Sequence, residues 1–162
     1  MNASFDYKFG KFTIPKMFVL HSSKHFFSLV PPNPILKGHI LICSKREVPS
    51  LSDLTNEEIF DYSLTLQYIS KRVELYQNVT SSTISIQDGE DAGQVINHFH
   101  AHVIPRAKGD LNSNDEVYSK LNHFDEDFIR EFTELLQNDK NKQELKDEVE
   151  NFKNFILKTY IY

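Results

Sequence analysis

The chain is poor in the residues that would set it apart from ordinary globular proteins. It has one cysteine among 162 residues, so no disulfide can form within it. Only 5 glycines and 6 prolines are present, and 40% of the residues are hydrophobic, which is typical of a folded domain and not of a fibrous or disordered chain. The single Cys43 lies in an apolar run and is predicted to be a small buried side chain.

Long hydrophobic runs are also absent. No stretch approaches the ~18 apolar residues of a membrane span, and residues 1–6 lack the pattern of a secretory signal. We therefore expect a cytoplasmic or nuclear protein without membrane contact. The net charge of −5 argues against a nucleic-acid partner, which would need a basic stripe. A small anionic ligand is still compatible, because it needs only local positive groups.

The hydrophobic pattern predicts an α+β fold. Short alternating runs within residues 1–30, 38–43 and 82–87 are typical of strands. A long amphipathic helix begins at Thr55, where Thr55-Asn56-Glu57-Glu58 has the pattern of a capping box. A second helix is indicated by apolar residues at helical spacing, namely Phe124, Phe128, Ile129, Phe132, Leu135 and Leu136, and a charged terminal helix by residues 142–160. Without an internal repeat or a second-domain boundary, residues 1–162 are expected to form a single domain.

Three histidines alternate with apolar residues at His98, His100 and His102. Successive side chains of a strand point to opposite faces, so the three imidazoles are predicted to share one face. Residues 82–105 are predicted to form a hairpin, with the turn at residues 88–93. Gln87 would then lie on the same side as the histidines.

A metal site is one use for clustered imidazoles. Alternate residues of a strand are roughly 6.6 Å apart, so one zinc ion can bind two of these rings but hardly all three. Another strand would have to supply more ligands, for which Cys43 and His39 are the candidates, but no Cys/His spacing pattern is present. We therefore expect no metal held by protein ligands. Three histidines without any role are also disfavoured, because buried polar rings without partners cost free energy.

An anion site with covalent chemistry accounts for the row of imidazoles better. Neutral imidazole is a nucleophile near pH 7, and the central His100 is placed to attack phosphorus while its neighbours hold oxygens. Gln87 is a candidate donor to the leaving group. No Asp or Glu alternates with the histidines, which suits an anionic substrate with a good leaving group. The motif of a dinucleotide-binding fold, the Walker A sequence of kinases and the Gly-x-Ser-x-Gly sequence of serine hydrolases are missing. The sequence therefore gives no support to these three classes of protein.

The segment from Gln87 to Arg106 resembles the histidine triad (HIT) superfamily, and in particular its fragile histidine triad branch. It reads Gln-Asp-Gly-Glu-Asp-Ala-Gly-Gln-Val-Ile-Asn-His-Phe-His-Ala-His-Val-Ile-Pro-Arg. The resemblance covers roughly residues 7–125, with further matches at Phe9-Gly10, Leu29-Val30, Pro34, Gly38-His39-Ile40-Leu41, Gly109-Asp110 and Val117-Tyr118. It implies an antiparallel five-stranded sheet packed by a long helix, and a homodimer with one continuous sheet. The apolar pattern adds a C-terminal helical extension over about 125–162.

The resemblance also implies an activity. Dinucleoside polyphosphates similar to diadenosine triphosphate would be hydrolysed to a nucleoside monophosphate and a nucleoside diphosphate. His100 matches the nucleophile that forms a nucleotidyl-histidine, His98 and His102 match the flanking histidines that order the site and bind phosphate, and Gln87 matches a glutamine near the scissile oxygen. The candidate substrate-binding residues are Gly93, Gln94, Phe9, Asn33, His39, Arg106 and Tyr118, the last on a mobile loop over about 107–117. A divalent cation, Mg²⁺ or Mn²⁺, would arrive with the substrate phosphates.

Two positions depart from the family pattern. Pro31 stands where the family usually has an asparagine that binds ribose, and Asn33 is a possible substitute two residues later. Val95 stands where a threonine or serine commonly helps to hold phosphate. Two interpretations of His39 remain open. It is either a buried structural histidine at the end of a strand or a residue that supports the site from behind. Two other functions also remain open, namely nucleoside phosphoramidate hydrolysis and nucleotide binding for signalling without catalysis.

Overall fold

The computed structural model describes residues 6–159 of the chain. These residues form a five-stranded antiparallel sheet, a two-stranded sheet and three α-helices. The strands are β1 Tyr7–Phe9, β2 Phe12–Ile14, β3 Val19–Ser22, β4 Phe26–Leu29, β5 Ile40–Ser44, β6 Ser81–Ser85 and β7 His100–Arg106. The helices are α1 Asn56–Gln77, α2 Glu116–Leu135 and α3 Asp139–Lys158, and short 3₁₀ turns occupy Lys16–Phe18, Leu51–Asp53 and Glu90–Ala92. The predicted α+β fold is confirmed.

The large sheet has the strand order β3-β4-β5-β7-β6, which places β7 between two partners. β6 and β7 pair as predicted, but a long segment joins them in place of a tight hairpin turn. The prediction that all three histidines lie on this strand is wrong for His98. It lies in a bend before β7. The Phe99 carbonyl oxygen still accepts the Ser44 N–H, but the Phe99 N–H donates to the Val48 carbonyl oxygen outside the strand.

The helix α1 covers one face of the sheet. Thr55 is its N-cap, and both reciprocal bonds of the predicted capping box with Glu58 are present. Tyr62 on the buried side of α1 packs against Phe99, with ring centroids 5.5 Å apart. Because Phe99 and the alternate residues of β7 point toward α1, His100 and His102 point toward the opposite face.

The helix α2 covers that opposite face. It begins at Glu116, well before the extension predicted from about residue 125, and the predicted loop over 107–117 is correspondingly shorter. Its buried side chains form one stripe, comprising Val117, Leu121, Phe124, Asp125, Phe128, Phe132 and Leu135. Phe128 stacks edge-on against Phe9 at 5.3 Å and Phe12 at 6.0 Å, so α2 packs on the small β1–β2 sheet as well.

The helix α3 returns along the outside of α1. Phe152 stacks on Tyr76 of α1 with ring centroids 4.2 Å apart. The predicted terminal helix over 142–160 corresponds to α3, and its last residue lies outside the described part of the chain. Among residues 6–159, no helix has the length and apolar character needed to cross a bilayer.

Candidate active site

His100 lies at the start of β7, where the register pairs it with Cys43 of β5. Its ring is buried, and Nδ1 lies 2.8 Å from the backbone carbonyl oxygen of His98. A carbonyl oxygen only accepts, so Nδ1 carries a proton and donates it there. The other nitrogen, Nε2, is the one left for contacts outside the strand.

His102 is held by a second buried histidine. The Ile35 backbone N–H donates to Nδ1 of His39 across 3.2 Å, so His39 carries its proton on Nε2 and donates it to Nδ1 of His102 across 3.1 Å. His102 must then carry its own proton on Nε2, an atom that is buried and lacks a partner in the described structure. This chain of bonds turns an N–H donor toward the ring of His100, whose centroid is 5.2 Å from that of His102.

Both supporting rings are neutral near pH 7. Burial, and next the charge of His100, lowers the pKa of His39 to about 3. Burial and the same charge hold the pKa of His102 well below its ordinary value. A neutral His102 can donate only through Nε2, so this residue offers an anion a single directed N–H and no net charge. The supporting role for His39 is the one that its contacts favour.

His98 has no free ring nitrogen. The Gly10 backbone N–H donates to its Nδ1 across 3.3 Å, so its proton lies on Nε2, which donates to the Ser44 carbonyl oxygen across 2.7 Å. The ring thus ties the β1–β2 turn to the end of β5. Phe9 packs edge-on against both His98 and His100, at 5.6 Å and 5.1 Å. The geometry gives His98 and Phe9 a positioning role, and direct phosphate binding by His98 stays a prediction.

Gln87 lies just beyond β6 and is fixed by the loop that follows it. Its Nε2 donates to the Ala92 carbonyl oxygen across 2.9 Å, and its buried Oε1 has no partner in the described structure. Gly93 adopts a φ of +93°, and a Cβ atom there would lie 2.5 Å from Nε2 of Gln87. Glycine is therefore required at this position both for its backbone conformation and for the space that Gln87 fills.

The site contains a carboxylate that the strand pattern did not reveal. Asp125 of α2 places Oδ1 3.1 Å from Nε2 of His100, while Oδ2 accepts the backbone N–H groups of Val95 and Ile96, each at 2.8 Å. Burial raises the pKa of Asp125, but the bond with His100 and the two backbone donors together lower it below its ordinary value. Nε2 of His100 thus faces the Asp125 carboxylate directly.

Gln94 and Asn33, two of the predicted substrate contacts, bind other parts of the chain. Gln94 accepts the Gly89 N–H on Oε1 at 2.8 Å and donates from Nε2 to the Pro49 carbonyl oxygen at 2.9 Å. Asn33 donates to the Phe124 carbonyl oxygen of α2 at 3.3 Å, and its Oδ1 is buried without a partner in the described structure. Their contacts with a substrate stay predictions.

Arg106 and Tyr118 lie away from the triad. Arg106 ends β7, roughly 20 Å along the strand from His100, and its guanidinium pairs with Asp110 at 2.8 Å and donates to Thr83 at 3.0 Å. Tyr118 lies in the first turn of α2, and its side chain is 54% exposed. The structure does not bring either side chain to the histidines, so their roles at distal phosphates and over the substrate stay predictions.

The whole triad falls within a recognised sequence family. The family model described as HIT domain matches residues 12–109 of this chain. The chain belongs to the HIT family. The predicted family is confirmed.

Curated relatives of this HIT chain carry enzyme names. The bis(5'-adenosyl)-triphosphatase of Dictyostelium discoideum is 42% identical over 113 residues, which cover 70% of this chain and 76% of that protein. The bifunctional bis(5'-adenosyl)-triphosphatase/adenylylsulfatase FHIT of Arabidopsis thaliana is 35% identical and is matched over 91% of this chain and 82% of its own length. The nitrilase and fragile histidine triad fusion protein of Caenorhabditis elegans is 42% identical over 74% of this chain, but only 27% of that protein is spanned.

Solved structures show the same HIT fold. The crystal structure of the C. elegans NitFhit protein matches with a TM-score of 0.72 and 30% identity over 96% of this chain and 31% of that one. The diadenosine triphosphate hydrolase of Plasmodium falciparum, solved in complex with Cyclomarin A, matches with a TM-score of 0.65 and 32% identity over 80% of this chain and 88% of that one.

The potential metal ligands in the HIT site are not the ones that the sequence suggested. In the described part of the chain, one cluster could hold an ion, formed by His100, His102 and Asp125 with ligand atoms within 4.8 Å of one another. Cys43 and His39 do not join it. Mg²⁺ prefers six oxygen ligands, and this cluster offers one carboxylate beside two ring nitrogens, so it does not fit a magnesium cage.

Sequence reasoning missed Asp125, although a signal for it was present. Asp125 lies three residues before Phe128 and seven before Phe132, which places it inside the apolar stripe of α2. Acidic side chains are almost never buried without a partner, so an acid on the buried face of a helix indicates a donor opposite it. Val95 and Ile96 supply those donors from their backbone. Their side chains therefore gave no indication of this contact.

Proposed function

We propose that this HIT protein hydrolyses dinucleoside polyphosphates such as diadenosine triphosphate, with His100 as the nucleophile. The names of the Dictyostelium and Arabidopsis relatives support this substrate class. The single observation that carries the proposal in the structure is the cradle of N–H donors around Nε2 of His100. It consists of the Val95 and Ile96 backbone N–H groups, which converge on one oxygen of Asp125, and of Nε2 of His102, which is buried without a partner in the described structure.

This cradle suits phosphoryl transfer. Nonbridging oxygens of an α-phosphate would accept hydrogen bonds from the two backbone N–H groups. Nε2–H of His102 would donate to the same phosphate and stabilise the negative charge on its oxygens in the transition state. The bond from Nδ1 of His100 to the His98 carbonyl oxygen keeps a proton on Nδ1. In the neutral ring, Nε2 therefore has the free lone pair that attacks phosphorus. In this proposal the side-chain amide of Gln87 would donate to the leaving oxygen.

The reaction proceeds in two displacements. Nε2 of His100 forms a bond to the α-phosphorus while the bond to the bridging oxygen breaks, and the nucleoside diphosphate leaves with that electron pair. Water then attacks phosphorus, the phosphorus–nitrogen bond breaks, and the nucleoside monophosphate is released with the ring restored. A polyphosphate is a good leaving group and needs little protonation.

The divalent cation belongs to the substrate in this proposal. Mg²⁺ bound to the bridging phosphates would neutralise charge that the neutral His39 and His102 cannot, while the protein contributes directed N–H donors. Turnover of diadenosine triphosphate should then fall with EDTA and return with Mg²⁺, without any change in the apparent melting temperature of the protein.

The reaction is tested by incubating the protein with diadenosine triphosphate and Mg²⁺ and following adenosine monophosphate by chromatography. His100→Asn should abolish turnover, while rapid quenching of the wild type should trap a nucleotide on His100 that mass spectrometry detects. Turnover by His100→Asn at the wild-type rate would rule out this nucleophile. Cleavage of an adenosine phosphoramidate alone would favour the amine-leaving reaction, and tight binding without turnover of either compound would favour a signalling module.

We also propose that the protein forms a homodimer through β6. This strand lies at the edge of the large sheet, with unpaired backbone groups along its outer side. Ile84 of β6 is 47% exposed, and two further apolar side chains, Phe60 at 66% and Leu64 at 50%, are exposed on the surface of the protein. Phe60 and Leu64 lie on α1, which is joined to β6 by a bond from Ser82 to Glu74 at 2.8 Å. Pairing with the same strand of a second copy would extend the sheet and cover this surface.

The dimer is tested by sedimentation equilibrium. Phe60→Arg combined with Leu64→Arg should shift the mass from two chains to one, because two charges would be buried without partners. Leu157→Arg, at a side chain of α3 that is 78% exposed, is the matched control and should leave the mass unchanged. A monomeric wild-type protein at micromolar concentration would contradict the proposal.

A further inference from the structure

We propose that α2 is an autoinhibitory element that occupies the nucleotide site of this protein, with Asp125 in place of the α-phosphate and Phe128 in place of part of the nucleoside. The inference rests on the proposed function, because it assigns a regulatory state to the same site. Four observations support it, and they concern the anion cradle, the aromatic pocket, the grooves beside α2 and the way the helix is tethered.

The Asp125 carboxylate has the contacts that a phosphate would make. One oxygen accepts two consecutive backbone N–H groups, from Val95 and Ile96, and the other lies 3.1 Å from Nε2 of His100. Convergent backbone N–H groups of this kind form an anion-binding concavity. A substrate phosphorus must approach Nε2 to within about 3–3.5 Å for attack. Asp125 therefore excludes the substrate phosphorus from that position.

Neighbouring side chains of α2 cover the rest of the site. Asn122 lies 3.4 Å from Nε2 of Gln87, and Phe124 packs against the ring of His102 with centroids 4.9 Å apart. One turn further on, Phe128 is fully buried between Phe9 and Phe12. A single helix face thus contacts the predicted nucleophile, the phosphate donor and the leaving-group residue together. The three histidine rings are at most 2% exposed as a result.

Two grooves border α2 on either side of Asp125. One has a volume of about 370 Å³ and is lined by Asn33, Ile35 and Phe124. The other has a volume of about 410 Å³ and is lined by Phe12, Val95 and Ile129. Both grooves are lined in part by side chains of α2, Phe124 in the first and Ile129 in the second. A dinucleotide has two nucleoside ends, and the two grooves would accommodate one each.

Irregular chain precedes α2, and a helix packed elsewhere on the fold follows it. Before it, residues 107–115 form turns, and Gly109 has a φ of +77° with no atom within 4 Å of a Cβ placed there. After it, α3 stays attached to α1 through the stacked Phe152 and Tyr76. When α2 is displaced from the site, Phe9 and Phe12 lose their contact with Phe128. The base of a bound nucleotide would then cover these two rings. Nucleotide and helix thus compete for the same surface.

The first test measures hydrolysis of diadenosine triphosphate by Asp125→Ala. Loss of the carboxylate should raise the fraction of open molecules, and the apparent Kd of a ligand scales inversely with that fraction. We expect KM to fall about tenfold or more with little change in kcat. Glu126→Gln, an exposed acid on the same helix, should behave as the wild type. A fall in kcat/KM for Asp125→Ala would show that the carboxylate assists the reaction, which overturns the inference.

The second test needs no turnover. Adenosine 5'-monophosphate is titrated into the wild-type protein while binding is measured by calorimetry and amide hydrogen exchange by mass spectrometry. Exchange in residues 121–132 should rise on saturation as α2 is displaced. If the nucleotide binds and α2 stays protected, or if it binds neither the wild type nor Asp125→Ala, the inference fails.

The two tests separate this inference from the proposed reaction. If diadenosine triphosphate is not hydrolysed but the monophosphate raises exchange in α2, the reaction is wrong and the autoinhibitory role stands. If hydrolysis is fast in the wild type and α2 remains protected with nucleotide bound, the reaction stands and the autoinhibitory role is wrong. If Asp125→Ala fails to fold, the kinetics of Asp125→Asn and the exchange measurement on the wild type still test whether α2 is autoinhibitory.

Discussion

Nε2 of His39 lies 3.1 Å from Nδ1 of His102, and the bond between them runs in one direction only. The Ile35 N–H fixes the first ring, the first ring fixes the second, and the second is left with its donor facing the site. Partners of this kind set the tautomer of a functional histidine, and their loss typically costs tenfold to a hundredfold in activity or affinity.

We predict that His39→Leu lowers kcat for diadenosine triphosphate by about 10–100-fold, because nothing then holds the proton of His102 on Nε2. His39→Gln is the matched variant, since its amide can accept from Ile35 and donate to His102, and it should recover part of the loss. The measurement is steady-state kinetics together with ¹⁵N chemical shifts of the His102 ring, which report the tautomer. Full activity in His39→Leu would mean that the site fixes His102 in another way.

A substitution at Gly93 should act through Gln87. Gly93→Ala introduces a Cβ atom 2.5 Å from Nε2 of Gln87 at a φ of +93°, so it combines backbone strain with displacement of the amide. Gly109→Ala has a similar φ of +77° in open space and controls for the strain alone. Both variants should lose about 1–2 kcal/mol of stability in urea unfolding. Only Gly93→Ala should also lose activity, and equal activity of the two variants would refute the proposed placement of Gln87.

His98→Ala should weaken the fold itself. The substitution leaves the Gly10 N–H and the Ser44 carbonyl oxygen without the ring that now pairs them. Each buried unpaired group costs about 1–3 kcal/mol, so we expect a loss of about 2–5 kcal/mol in urea unfolding. His123→Ala, at an exposed position of α2, is the control and should change stability by about 0.5 kcal/mol or less. A variant as stable as the wild type would mean that His98 serves the substrate and not the fold.

Acid should destabilise the protein through Glu58. The bidentate bond from Arg46, opposed by burial and helped by the Thr55 N–H, lowers the pKa of Glu58 from 4.5 to about 2. A carboxyl group whose pKa is lower in the folded state stabilises the fold above the unfolded pKa and loses this effect as pH falls through the folded value. Stability should therefore drop between pH 4.5 and about 2.

This prediction is checked by urea unfolding at several pH values. Glu58→Gln should cost on the order of 1.5–3 kcal/mol at pH 7, because it removes hydrogen bonds between charged groups, and should flatten the slope within that pH range. Glu126→Gln, at an exposed carboxyl of α2, should leave the slope as in the wild type. An unchanged slope in Glu58→Gln would assign the acid sensitivity to other groups.

Local patterns predicted the parts of the fold that local forces decide. The Thr55–Glu58 capping box starts α1 because its bonds join residues three apart, and Cys43 is buried because it lies in a central apolar strand. His100 and His102 follow strand alternation for the same reason. His98 breaks the pattern because its ring bonds to the backbone of two distant segments, and such bonds carry no local signal.

The docking of α2 could not be read from the sequence. Its amphipathic stripe predicts a buried face but not the surface that buries it, and Asp125 meets backbone donors about thirty residues away. The family resemblance predicted the triad, Gln87 and the sheet, while it led to the expectation of a mobile loop near Tyr118. The structure places a helix there instead, because Phe124, Phe128 and Phe132 have an aromatic surface to bury against.

The stacking of Phe152 on Tyr76 has a consequence for the kinetics of the site. Together with the pairing of Arg106 with Asp110, it anchors the chain on both sides of α2. A displaced α2 therefore stays near the cleft at an effective concentration in the millimolar range, as for other short tethers. Its return is a unimolecular event that dilution does not slow. The threshold concentration at which nucleotide keeps the cleft open should thus be a property of the single chain, the same in a dilute assay as in a crowded compartment.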